Sequence, residues 1–149
     1  MEFQYSLTGS GWAEARVKSG SASAHLRVSY LSDALGDLLL ALLDLRWGAP
    51  AARCSWEEEP GEWRWLFATY GDRLEVRILG FKDMYDHEPD SAGREVFAAH
   101  EPADDVIKAV AGAARQLLDE MGADEYHRRW VEHPFPTETL VALEETLGA

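Results

Sequence analysis

CSWEEEPGEWRWLF, residues 54–67, decides how the chain is read. Cys54 and Trp56 alternate with Ser55 and Glu57. Past Glu59-Pro60-Gly61, the rings of Trp63, Trp65 and Phe67 alternate with Arg64 and Leu66. A period of two marks a strand with one buried face. Pro60-Gly61 suits the centre of a type II turn, because proline fixes the first φ and glycine accepts a positive φ at the second. Two alternating runs about a turn make a hairpin, and the tryptophans fill its inner face. On the outer face, Glu62 and Arg64 are expected to join Glu75 and Arg77 of the next run, RLEVRIL, in a solvent-facing charge ladder. Each such cross-strand pair contributes roughly 0.2–1 kcal/mol.

Working outward, the same alternation recurs. FQYSL (3–7), WAEARV (12–17) and AHLRVSYL (24–31) predict three strands, joined by turns at Gly9-Ser10-Gly11 and around Gly20. REVFAAH (94–100) predicts one more, at an edge. Between the strand groups the period changes. Leu35, Leu38, Leu39, Leu42 and Leu43 follow a Ser32-Asp33 N-cap pair at helical spacing, and Gly48 and Pro50 close that helix. Pro102 opens a long helix whose stripe is Val106, Ile107, Val110, Ala114, Leu117, Leu118 and Met121, closed by Gly122. ADEYHRRWVEH reads as a short helix, and Thr137 begins the last one. The expected fold is α+β. It is a single domain over residues 1–149, with an antiparallel meander of about six strands, a long leucine-rich helix and C-terminal helices packed on one face.

The chain has 149 residues, 27 acids against 14 lysines and arginines, and a formal charge of −13. The acidity lies in the later two thirds, since residues 1–50 carry five acids against four bases. Such a charge argues against nucleic acid and anionic membrane as partners and favours a basic protein. No apolar run approaches the roughly 18 residues that a membrane helix needs. MEFQYSL lacks the basic start of a signal peptide, and the lone Cys54 permits no internal disulfide, so a cytoplasmic setting is expected.

Chemistry-bearing motifs are scarce. Asp86-His87-Glu88, with Asp83 and Asp90, offers metal-ligand types, but its spacing matches neither an EF-hand nor HExxH, so a solvated connection is expected over 82–93. His127-Arg128-Arg129 is expected to pair with neighbouring acids, while Trp130 and Phe135 anchor their segment. Neither a nucleophile elbow nor a phosphate loop is present, so no catalytic residue and no cofactor is assigned.

The pattern W-x-x-E-P-G-E-W-R-W-L of residues 56–66, on a small acidic chain with one cysteine, resembles uncharacterised bacterial immunity proteins that accompany polymorphic toxins. That resemblance implies stoichiometric binding of a cationic toxin domain rather than turnover. The leading expectation is therefore a non-enzymatic docking surface made of Glu57, Glu58, Glu59 and Glu62 with Asp83, Asp86, Glu88 and Asp90. The alternative is a small-ligand or enzymatic pocket between sheet and helices, lined by Trp56, Trp63, Trp65 and Tyr85. The chain is expected to be a monomer, or a homodimer built through the 94–100 edge.

Overall fold

The structure is a computed structural model that describes residues 1–85 and 87–147. Seven strands and four α-helices form an α+β fold. Strands β1 (Glu2–Gly9), β2 (Trp12–Ser19) and β3 (Ala22–Ser29) form one antiparallel sheet in that order. Helix α1 (Ala34–Arg46) follows. Then β4 (Ala51–Glu57), β5 (Glu62–Tyr70), β6 (Arg73–Phe81) and β7 (Arg94–Pro102) form a second antiparallel sheet, also in sequence order. Helices α2 (Ala103–Met121), α3 (Ala123–Trp130) and α4 (Thr137–Glu145) complete the chain.

One meander of about six strands was expected, and two sheets of three and four are found. The break falls at α1. A meander propagates across tight turns, and a 13-residue helix between β3 and β4 carries the chain away from the first sheet. The edge position of β7 agrees with the sequence.

Alternation sets the inner faces. Across the first sheet, large and small residues face one another: Tyr5 lies opposite Ala15, and Ala15 opposite Leu26. The small central residues leave room for the rings beside them. Phe3 meets Trp65 edge-on at 6.2 Å and Tyr5 meets Trp56 at 5.9 Å, so aromatic side chains join the two sheets. The α1 leucines Leu35, Leu38, Leu39, Leu42 and Leu43 are buried in the same core, with Val106, Ile107 and Val110 of α2 and Leu140 and Leu143 of α4.

Two local expectations need correction. The β4–β5 turn is not type II: the Glu59–Pro60 peptide is cis, and Glu59 rather than Gly61 holds a positive φ, of 52°. Gly61 is needed for a close approach instead, because a Cβ there would stand 2.8 Å from the Phe81 carbonyl oxygen. Ser32 does not cap α1 either. Its hydroxyl accepts from the Glu57 amide at 3.1 Å and ties the helix start to β4.

Candidate functional site

The outer face of the second sheet should, by alternation, be wet. On β4 it carries Arg53, Ser55 and Glu57, and on β5 Glu62 and Arg64. On β6 it carries Leu79 and Phe81, opposite Arg64 and Glu62. Those last two residues are apolar and buried, which an open face would not allow. The connection, described over residues 82–85 and 87–93, folds back over them. Its start is pinned to the hairpin turn, the Met84 amide donating to the Pro60 carbonyl at 2.7 Å. Its end lies flat on the sheet at Gly93, where a Cβ would stand 2.7 Å from Phe81 Cζ and 2.9 Å from Leu79 Cβ. A one-turn 3₁₀ helix, Asp90–Ala92, supplies the bend.

This roof buries what was expected to be a solvent ladder. Glu62 and Arg64 are each only 7% exposed. The Arg64 guanidinium donates from Nε and Nη2 to the two Glu62 carboxylate oxygens, at 3.0 and 3.1 Å. Its Nη1 donates to the Glu88 carbonyl at 2.9 Å and to Asp90 Oδ1 at 2.8 Å. Its plane covers the Phe81 ring at 4.0 Å. Ser55 Oγ donates to Glu62 Oε2 at 2.7 Å, and Arg53 holds both oxygens of Asp90 at 3.1 and 2.7 Å. One arginine thus binds sheet and roof together, in the bidentate geometry that a planar guanidinium favours. Elsewhere the expected ladder pairs differently: Arg77 reaches Glu95, and His100 lies 3.4 Å from Glu75.

Between roof and sheet lies a cleft of about 490 Å³, lined by Glu57, Glu62 and Arg64 from the sheet and by Met84, His87, Glu88 and Asp90 from the connection, among others. Glu57 and Glu62 of the hairpin and Glu88 and Asp90 of the connection, far apart in sequence, therefore line one cleft. Their states differ. Burial alone would lift the Glu62 carboxyl, but hydrogen bonds from Arg64 and Ser55 bring it below the usual range. Asp90 is held low by the hydrogen bonds from Arg53 and Arg64. Glu57 goes the other way: burial raises it, and the charges of Glu62 and Glu59 add to that. Among the described residues neither Glu57 nor Glu88 is in an ion pair, so the two arginines are occupied and the remaining field of the cleft is negative.

The other expected residues are distributed as follows. Glu58 and Asp83 line a second hollow of about 550 Å³ beside Trp63, Phe81, Lys82 and Arg94, and Glu88 stands between the two hollows. Glu59 is exposed at the turn. Asp86 lies outside the described residues. The aromatic set divides: Trp56 and Trp65 meet at 5.1 Å wholly buried in the core, Trp63 lies opposite Trp56 and is buried with its indole donating to the Arg27 carbonyl at 2.9 Å, and Tyr85 is 69% exposed. Arg128 and Arg129 pair with Glu125 at 2.9 and 3.0 Å, and Trp130 is buried. Sequence reasoning missed Arg53, Ser55 and Arg64 as site residues. The available signal was Leu79 and Phe81, two large apolar residues on the outward parity of β6.

No family model and no curated protein matches the chain. Among solved structures it is similar to a chain of a CdiA-CT/CdiI toxin and immunity complex from Enterobacter cloacae, with a TM-score of 0.48 and 11% identity, over 77% of this chain and 94% of that one. This is a likeness in outline, and the chemistry of the cleft comes from its own residues. No helix among the described residues is long and apolar enough to cross a membrane.

Proposed function

We propose that this chain is a non-catalytic binding module that docks a cationic protein on the roofed face of its second sheet. One observation carries the reading: Glu57 and Glu62 of the hairpin and Glu88 and Asp90 of the connection line a single cleft. Arg64 holds Glu62, Asp90 and the Glu88 carbonyl from beneath, so the cleft has its shape before a partner arrives. Preorganisation of this kind reduces the ordering cost of association. A lysine or arginine entering beside Glu57 and Glu88 would meet carboxylates that no internal base occupies, and the overall charge of −13 would speed the encounter. The resemblance of the Trp56–Leu66 hairpin to immunity proteins makes a cationic toxin domain the first partner to try.

The test is retention of partner from native lysate at low and high salt, by the parent and by a Glu57→Lys/Glu58→Lys/Glu88→Lys variant. The expected result is a basic protein held by the parent, weakened by salt and lost from the variant. Equal retention by both proteins, with the same salt dependence, would overturn the site.

A further inference from the structure

Four buried polar atoms without a protein hydrogen-bond partner belong to Tyr5, Asp33, Tyr126 and His133. They come from β1, the start of α1, α3 and the loop before α4, and aromatic packing brings them to one place. Asp33 sits between two anchored carbonyls. The Trp130 indole donates to Ser32 O at 3.2 Å, and the Trp56 indole donates to Ala34 O at 2.8 Å. Tyr126 stacks on Trp130 with centroids 6.4 Å apart, and Tyr5 meets the Trp56 ring at 5.9 Å. Phe135 packs edge-on against Tyr126 at 5.1 Å, and His133 lies two residues before it. The two phenols are near enough to act on each other as hydrogen-bonding groups, the Asp33 charge acts on both, and His133 acts on Asp33 and Asp37.

Tyr5 is 7% exposed and Tyr126 is fully buried. Buried polar groups almost always find partners, and several orphans at one point need an explanation. The chemistry suits water. Phenols donate and accept, a carboxylate oxygen accepts, and an imidazole nitrogen does either. An internal water makes two to four such bonds. Among the described residues no three His, Cys, Asp or Glu side chains are arranged to hold a metal ion. Burial also lifts Asp37 to about 6, with Asp33 adding to the rise and His133 opposing it, as expected of carboxylates at the rim of a poorly solvated node.

We propose that Tyr5, Asp33, Tyr126 and His133 form an internal site for ordered water, and that this hydrated node fastens the 123–136 segment to the start of α1 and to β1. Hydroxyls stranded without partners make the opposite prediction for phenylalanine, and a direct Tyr5–Tyr126 bond with no water makes the same one as the hydrated node, so water contacts decide between the last two. Removing a bridged hydroxyl loses bonds, whereas removing a stranded one relieves a desolvation penalty. Tyr5→Phe and Tyr126→Phe are each expected to lower Tm by about 2–4 °C, and the double variant by less than the two losses together, since both remove bonds to the same water. Amide exchange across Tyr126–Trp130 should quicken in Tyr5→Phe, although Tyr5 lies on another element. Direct evidence would be nuclear Overhauser contacts from long-lived water to the aromatic protons of Tyr5 and Tyr126 in the parent. Single variants as stable as the parent or more so, or a parent in which those water contacts are absent, would overturn the site. Unchanged exchange in α3 would overturn its fastening role.

Discussion

The two sheets follow the same alternation and end differently. On the first, Arg16, Lys18, His25 and Arg27 point outward from β2 and β3 and remain exposed. On the second, Glu62 and Arg64 point outward from β5 in the same rhythm and are buried. Strand periodicity says which residues share a face, but not whether a later segment covers it. The covering segment here is the connection from β6 to β7, and Arg64 is the side chain through which sheet and roof hold each other at Glu88 and Asp90.

The largest effect should come from breaking that contrast at Arg64. Arg64→Ala leaves Glu62 buried without its cation, removes a bond to Asp90 and uncovers Phe81, for an expected loss of about 3–5 kcal/mol. Arg16→Ala on the open face should stay within about 0.5 kcal/mol. Urea denaturation of both variants checks the difference. A Glu62→Gln/Arg64→Met double variant should recover much of the loss, because the penalty comes mainly from the stranded charge. Equal costs for Arg64→Ala and Arg16→Ala would mean that the roof adds nothing.

What the sequence disclosed follows from the range of the interactions involved. The inner faces were legible because alternation is local: Trp56, Trp65 and Phe67, or Val76 and Ile78, declare their side within a few residues. The helices were legible for the same reason. The division into two sheets was not, since it depends on where β3 and β4 end up after α1. Nor was the cleft, whose walls come from residues 53–64 and 84–90 and meet only through tertiary packing. The acids stand out by type and clustering, and the structure brings four of them, Glu57, Glu62, Glu88 and Asp90, to one cleft. Their inequality, with Glu62 and Asp90 paired and Glu57 not, comes from two arginines that looked like ordinary surface charges. The polar node around Asp33 draws on four separated segments and left no local pattern at all.

Acid titration offers a smaller and graded way to probe the roof. Asp90 is lowered by Arg53 and Arg64, and Glu62 by Arg64 and Ser55 against the effect of burial. A carboxyl with a folded pKa below its unfolded value binds its proton more readily in the unfolded chain. Its stabilisation is therefore complete above the unfolded value, about 4, and is lost as the pH falls through the lower folded value. The roof should loosen in that acid window, not at neutrality. Asp90→Asn should flatten the acid limb of stability below about pH 4, followed by urea denaturation at successively lower pH. An acid limb unchanged by the substitution would show that Asp90 does not hold the roof.

The smallest effect gives the sharpest control. Arg77 and Glu95 lie on the same outer face, and their contact, Nε to Oε1 at 2.7 Å, is as short as any that Arg64 makes. The surroundings differ, and so does the number of partners, four hydrogen bonds for Arg64 against one for Arg77. Arg77 and Glu95 stand beyond the roof, with side chains 39% and 48% exposed. Water screens the pair and already solvates each ion, so little is gained by bringing them together and little is lost by parting them. Arg77→Ala should therefore cost no more than about 0.5 kcal/mol in the same urea assay. The gap between Arg77→Ala and Arg64→Ala measures what cover contributes together with the partners that the roof brings to Arg64. A large cost at Arg77 would transfer the explanation from the roof to the sheet, and the cleft would then lose its claim to a preorganised base.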